Sequence, residues 1–361
     1  MSTIKVDGIR SNSASSDAIT LASDGTATAN LTTVNSVTMP NGGFLSNRNL
    51  IINGAMQVAQ RGTSSTSSGY QTVDRFQHAG SGWDEAMTQS QSDVASGTTP
   101  YTLGFRKAFK VTNGNQTSGA GTSDQIYISY KMEAQDIANS GWNYLSSSSN
   151  ITLSFWVKSS VAQNFYGYFL TKDGSSYLYP FETGSLTADT WTKVTKTISG
   201  NSNLTFNNDT GTGLELVIAP FFGTDKTGSV SLNAWGAYNT SVRVPDMTST
   251  WYTTNDATFE ITGVQLEVGS TATEFEHRSF GEELALCQRY YYHLDAGGHA
   301  NSNLPDKGGY ARATVDFPTT MRATPTAAIT GSFSWYGSYT KMSGHRNGTY
   351  TFPTCAFSAE L

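Results

Sequence analysis

The stretch Thr258-Phe-Glu-Ile-Thr-Gly-Val-Gln-Leu-Glu-Val268 decides the fold. Phe259 and Ile261 alternate with polar neighbours, the two-residue period of a strand with one buried face. The alternation then changes parity, because Val264, Leu266 and Val268 carry the apolar face beyond Thr262-Gly263. A parity change inside one strand requires an extra residue, and glycine accepts the backbone this demands. The pattern therefore predicts a β-bulge at Thr262-Gly263.

Working outward, Ile151, Leu153, Phe155 and Val157 share one face of Ile151–Lys158, and Thr152, Ser154, Trp156 and Lys158 share the other. A Trp on the polar face is either covered by a further layer or offered to a ligand. Further strand candidates are Leu50–Ile52, Phe105–Thr112, Gln125–Met132, Phe165–Thr171, Tyr177–Phe181, Thr192–Ile198 and Leu214–Phe221. Asn53-Gly54, Asn113-Gly114 and Asp173-Gly174 are the sharpest turn signals between them. Short strands with regular turns imply an all-β architecture, a sandwich or jelly roll over residues 46–280.

The flanks differ from this centre. In residues 1–45, Ile4, Val6, Ile9, Ile19, Leu21, Leu31, Val34 and Val37 are scattered among small polar residues, and Asp24-Gly25 has hairpin-turn chemistry. Ordering each residue costs about 1–2 kcal/mol of backbone entropy. A buried aliphatic side chain returns roughly 1.5–3 kcal/mol. So few of them cannot hold this segment as a monomer. It is either a disordered arm or a β stalk whose core is shared by three copies. Ser279–Tyr290 is the best helix candidate, with Ser279 and Glu282 at capping-box spacing, and it links to a small C-terminal β domain within 281–361. Strand-like runs there are Gly309–Phe317, Ala327–Trp335 and Thr349–Phe357, with an Asn347-Gly348 turn.

Composition bounds the function. Of the 361 residues only 14% are charged and the net charge is −6, so no basic face for nucleic acid is expected. No apolar run approaches the roughly 20 residues that span a bilayer, and the N-terminus lacks a secretory signal, so neither membrane insertion nor secretion is expected. Cys287 and Cys355 read as free, packed thiols. His293, Asp295 and His299 read as a glycine loop rather than a metal clasp, and no cofactor or metal is expected. No nucleophile elbow, phosphate loop or dinucleotide fingerprint is present. Glu215, Glu260, Glu267, Asp173 and Glu182 lie on or near strands, but nothing in their spacing pairs them as the two carboxylates of a glycosidase, so no catalytic residue is assigned.

The aromatics are more informative, at 12% of the chain. Trp156, Trp235, Tyr238, Trp251 and Tyr252 in the large domain, and Trp335, Tyr336 and Tyr339 in the last one, sit in polar, glycine-rich surroundings. A flat ring can stack on the apolar face of a sugar while neighbouring amides and carboxylates bind its hydroxyls. The same rings could equally pack in the core or between subunits.

Asn49-Leu-Ile-Ile-Asn-Gly-Ala-Met-Gln-Val-Ala-Gln-Arg-Gly62, Val73-Asp-Arg-Phe76 and Leu153-Ser-Phe-Trp-Val-Lys-Ser159 resemble segments of bacteriophage tail-fibre and minor structural proteins. So does the block from Ile261 through Arg278 into Glu282–Tyr292, which gives the resemblance a span of about 47–293. The large domain also resembles jelly-roll carbohydrate-binding modules. That resemblance implies a structural calcium held partly by acidic residues, at positions that are Gln57 and Thr262-Gly263 here. Together these imply a non-enzymatic virion protein made in the host cytoplasm: a homotrimeric tail fibre or receptor-binding subunit. Its N-terminal segment would join other tail or virion proteins, and its aromatics would contact host cell-surface polysaccharide. The alternatives are a head fibre or capsid decoration protein without a receptor role, and a glycan depolymerase.

Overall fold

A computed structural model describes residues 47–294, 310–329, 334–347 and 355–361, together with five short strands within residues 1–46. The chain divides into two compact units, Met1–Ser46 and Asn47–Leu361. In the first, β1 (Gly8–Ile9), β2 (Ile19–Leu21) and β3 (Ala27–Ala29) form an antiparallel sheet in that order, and β4 (Thr33–Val34) pairs with β5 (Val37–Thr38). Ile19 faces Ala29 and Leu21 faces Ala27 across the β2–β3 pair, while the Asp24-Gly25 turn lies outside the described residues.

The second unit is built on two six-stranded antiparallel sheets. Its strands are β6 (Ser64–Ser65), β7 (Phe76–Ser81), β8 (Thr88–Asp93), β9 (Lys107–Thr112), β10 (Gln125–Glu133), β11 (Asn150–Ser159), β12 (Asn164–Thr171), β13 (Tyr177–Ser185), β14 (Thr192–Ser199), β15 (Thr212–Phe222), β16 (Gly236–Ala237) and β17 (Thr258–Val268). The first sheet runs β16-β13-β12-β15-β10-β7 and the second β14-β11-β17-β9-β8-β6. Ile151, Leu153, Phe155 and Val157 from the second sheet share one core with Ile126, Ile128, Phe169, Leu216 and Ile218 from the first, as the alternation requires. This is the all-β sandwich that the strand pattern predicts.

The bulge lies where the parity change puts it. Ser154 pairs with Gln265 and Trp156 with Thr262, so the strand carries an extra residue between those pairs. Gly263 has φ +61°, and a Cβ there would stand 2.6 Å from the Phe105 ring. Val268 departs from the expected inward face: it is 39% exposed at the strand end, beyond the cover of the opposite sheet. Leu50–Ile52 is not a strand either. The Asn49 side chain accepts from Leu266 N and Ile51 N, supplying bonds that a paired strand would otherwise make.

Among the described residues, four short helices punctuate the unit: α1 (Thr99–Thr102), α2 (Ala134–Ala138), α3 (Thr250–Thr253) and α4 (Phe280–Gln288). Ser279 and Glu282 close a reciprocal capping box on α4, as their spacing predicts. After it come β18 (Tyr291–Leu294), β19 (Tyr310–Asp316), β20 (Thr326–Ile329), β21 (Ser334–Gly337), β22 (Lys341–Asn347) and β23 (Cys355–Ser358). They form two three-stranded sheets, β18-β23-β20 and β19-β22-β21, around Val315, Met321, Met342 and Phe357. The Ala327–Trp335 run is thus two strands, and residues 295–309 and 348–354 lie outside the described set.

Charge ties these last sheets to the sandwich. Glu360 pairs with both Arg61 and Arg75, and Arg75 is wholly buried with its guanidinium 3.4 Å from the centre of the Tyr290 ring. Arg289 grips Glu133 with two bonds of 2.8 Å, and Tyr290 donates to the same carboxylate. Burial works against the Glu133 charge, but these hydrogen bonds and the Arg289 charge outweigh it and hold the carboxyl below its usual range.

Candidate functional site

The outer face of the first sheet gathers Tyr127, Tyr166, Tyr168 and Tyr238, of which Tyr168 is buried and the others are half-buried. Its composition follows from alternation. Phe165, Gly167 and Phe169 of β12 point inward, which turns Tyr166, Tyr168 and Leu170 outward. In β10, inward Ile126 and Ile128 turn Tyr127 outward, and in β15, inward Leu216 and Ile218 turn Glu215, Val217 and Ala219 outward.

Residues 223–249 cross this face as a strap. Val244 is completely buried against Tyr168, Leu170, Leu178, Val217 and Phe222, with Tyr238 and Met247 packed alongside. Backbone bonds fasten the strap to itself through Gly228 N to Val244 O and Arg243 N to Lys226 O, and to the sheet through Tyr238 N to Ser176 O. The Thr227 hydroxyl donates to Asp246 at 2.7 Å.

Phe222 is the hub beneath the strap. Its ring centre lies 5.8 Å from that of Tyr127, 6.3 Å from that of Tyr168, and 5.9 Å from the Arg243 guanidinium carbon. Burial, with Glu215 nearby, pushes the phenols of Tyr127 and Tyr168 upward, so both stay neutral at any physiological pH. The Glu215 carboxylate is engaged by Lys172 at 2.7 Å. Two clefts flank the strap. One, of about 420 Å³, is lined by Trp235, Leu178, Pro180, Asn239 and Val242; the other, of about 260 Å³, by Phe222, Thr227, Asp246 and Met247.

The aromatics singled out from sequence fall into three groups. Trp235 and Tyr238 lie on the strap; Trp235 donates its indole N–H to Ser199 O and packs 5.3 Å from Tyr179, leaving part of the ring at the cleft. Trp335 leans on Phe357 at 5.3 Å, while Tyr336 and Tyr339 are 58% and 52% exposed beside it. Trp251, Tyr252 and Trp156 are corrections to the expected binding role. Trp251 and Tyr252, on α3, are buried: Trp251 donates to Thr258 O and Tyr252 stacks on Phe221 at 4.5 Å, so neither presents a face to a ligand. Trp156 is half-buried against Phe105, Ala108 and Val94 in a layer that also takes Phe275, which answers the question its strand position raised. Alternation alone would have exposed Tyr127, Tyr166 and Tyr168, which the sequence reading passed over. Arg243 carries no periodic signal at all.

The most distinctive sequence block has a structural role. Gln265 and Glu267 point away from the core, and Glu267 receives Thr273 N at 2.8 Å while Gln265 receives Glu276 N at 2.8 Å. They pin residues 273–276 to the outside of the second sheet. Asn53, in the opening block, bonds Val58 and Asp74 O, and Gly54 sits where a Cβ would collide with Val264 O. The calcium expected of carbohydrate-binding modules does not fit these positions, because Gln57 and Thr262-Gly263 supply no carboxylate, and the Thr262 hydroxyl is taken up by Lys107 O at 2.7 Å. Among the described residues no group of three His, Cys, Asp or Glu could hold a metal ion, and no helix is long and apolar enough to cross a membrane. Cys287 and Cys355 are buried.

No family model and no curated protein matches this sequence. Among solved structures, the enzymatically active domain of tailspike protein 4 of bacteriophage CBA120 overlaps 64% of this chain at 9% identity and a TM-score of 0.33. This chain spans 24% of that structure's length. The N-terminal cellulose-binding domain of β-1,4-glucanase C from Cellulomonas fimi overlaps 60% of this chain and 99% of its own length, at 8% identity and a TM-score of 0.29. The family 11 carbohydrate-binding module from Clostridium thermocellum overlaps 58% and 98%, at 10% identity and a TM-score of 0.26. These are low overlaps between β-rich chains.

Proposed function

We propose that this protein is a non-catalytic, trimeric virion component of a bacteriophage, a tail-fibre or receptor-binding subunit that holds host surface saccharides. The observation that carries the saccharide reading is the larger cleft beside the strap. The Trp235 indole, Leu178, Pro180 and Val242 line it together with Ser229, Ser231 and Asn239, and such a surface suits a ligand with apolar ring faces and a rim of hydroxyls. The virion context rests on the motifs of the 49–62 and 261–292 blocks. The N-terminal unit supplies the attachment segment and its three-stranded sheet the stalk. Three weak sites on one trimer would act together through effective concentration, without any new contact.

The test is retention of the full chain on polysaccharide extracted from bacterial surfaces, with its mass in solution measured in parallel. Retention that Trp235→Ala weakens, by a species of three times the chain mass, is the expected result. A stable monomer at micromolar concentration would remove the trimer, and release of reducing ends from the polysaccharide would replace the binder with a depolymerase.

A further inference from the structure

Arg243 stands apart from the other arginines around it. Among the described residues its guanidinium makes no ion pair and no hydrogen bond, and its Nε is buried without a partner. The carboxylates within the strap and the sheet face are occupied elsewhere: Glu215 by Lys172 at 2.7 Å, Asp246 by Thr227 at 2.7 Å, and Asp225 by Thr122 at 3.3 Å. The buried Nε is closed to an external partner, so an incoming anion would meet the two Nη groups, for which the protein also supplies no acceptor. A guanidinium presents paired N–H groups that match two oxygens of a carboxylate or phosphate, so the ligand group that suits it is planar or tetrahedral and anionic. Tyr127 and Tyr168 frame the same spot around Phe222, Tyr238 stands on the strap nearby, and Val242 opens onto the larger cleft.

We infer that the strap face takes an anionic saccharide, with Arg243 pairing the sugar's acidic group and the half-buried rings of Tyr127 and Tyr238 beside it. This inference rests on the saccharide reading above and narrows it to acidic sugars. The protein's net charge of −6 makes the point sharper, since general electrostatic attraction to a polyanion is absent and an acidic ligand would need a specific cation to be held.

The experiment binds the full chain to a saccharide panel with three arms: uronic and nonulosonic acid oligomers, phosphodiester-linked oligomers, and carboxyl-reduced neutral counterparts of the first arm. Arg243→Gln and Arg243→Lys are measured beside the unsubstituted protein, with thermal unfolding as the check that all three fold alike. Expected is binding to an acidic arm at least 10-fold tighter than to the neutral one. Arg243→Gln should abolish that preference, and Arg243→Lys should restore part of it. Which acidic arm binds tells a carboxylate from a phosphate. Binding to neutral members alone, or acidic binding that Arg243→Gln leaves intact, would overturn the inference while leaving the saccharide reading in place. Binding to no member of the panel would overturn both.

Discussion

Two clusters in this molecule use the same residue types to opposite ends. At the junction with the C-terminal sheets, Arg61 and Arg75 meet Asp74, Glu360, Tyr70, Tyr130, Tyr290 and Tyr291. On the strap face, Arg243, Glu215 and Tyr238 all lie close enough to Tyr127 and Tyr168 to act on their phenols. In the first cluster each arginine is ion-paired, each lies over a tyrosine ring, and Arg75 is wholly buried. In the second the acid is taken by a lysine and the arginine is left over. The first cluster's charges are paired internally, whereas the second leaves a partly accessible arginine without an ion pair, the feature on which the proposed ligand role rests. Residue composition does not separate the two, nor do buried unpaired nitrogens, since Arg61 Nη1, Arg75 Nε and Arg243 Nε all lack a hydrogen-bond partner; ion pairing does.

The largest expected effect breaks the first cluster. Glu360→Gln leaves the wholly buried Arg75 without its counter-charge and Arg61 with Asp74 alone, and should cost about 3–5 kcal/mol in denaturant unfolding. Arg243→Gln should stay within about 0.5 kcal/mol of the unsubstituted protein. Equal losses in the two variants would erase the distinction between the clusters.

Acidity probes the same junction. Burial raises the Asp74 carboxyl to about 6, against the pull of Arg61 and the Gln60 hydrogen bonds. Between its unfolded value and about 6 the folded protein therefore binds more protons than the unfolded chain. This group's contribution to stability is present below about pH 4 and lost as pH rises through 6. His78 opposes it: burial lowers its ring to about 4, so stability is lost as pH falls from 6.5 through that value. Unfolding midpoints of Asp74→Asn and of the unsubstituted protein, compared from pH 4 to 7, should differ in slope. The variant should gain more stability as pH rises, and parallel curves would show that Asp74 is not buried as described.

A third change sharpens the strap side. Glu215→Gln removes the negative charge that competes with an acidic ligand and frees Lys172, whose side chain is 36% exposed. Stability should move by about 0–1 kcal/mol, and affinity for an acidic saccharide should rise several-fold in titration. Weaker binding would mean that Glu215, rather than Arg243, contacts the sugar. The smallest effect is expected at Tyr339→Ala, whose ring is 52% exposed and outside both clusters: unfolding should be unchanged within about 0.5 kcal/mol. A loss of saccharide binding there would move the site to the C-terminal sheets.

The sandwich was legible in the sequence wherever apolar residues alternate. The parity break at Thr262-Gly263, the inward set Ile151, Leu153, Phe155 and Val157, and the Ser279–Glu282 cap all follow from local rules that burial then enforces. Strand β8 was not legible, because Thr88-Gln-Ser-Gln-Ser-Asp93 contains no large apolar residue and is held by pairing with β9. The aromatic candidates were only partly legible. Trp251 and Tyr252 read like surface rings amid polar neighbours, but α3 turns both inward, where Asn113 holds their carbonyls. The strap site combines strands distant in sequence with a loop that has no period, so Arg243 could be found only from the bonds it lacks.

The most direct test of the saccharide site is a structure of the full chain with its tightest-binding oligosaccharide. The account predicts sugar density beside the strap, with an acidic group against Arg243 and a ring next to Tyr127 or Tyr238. Density only at Tyr336 and Tyr339, or an Arg243 guanidinium bonded to protein alone in the complex, would contradict it.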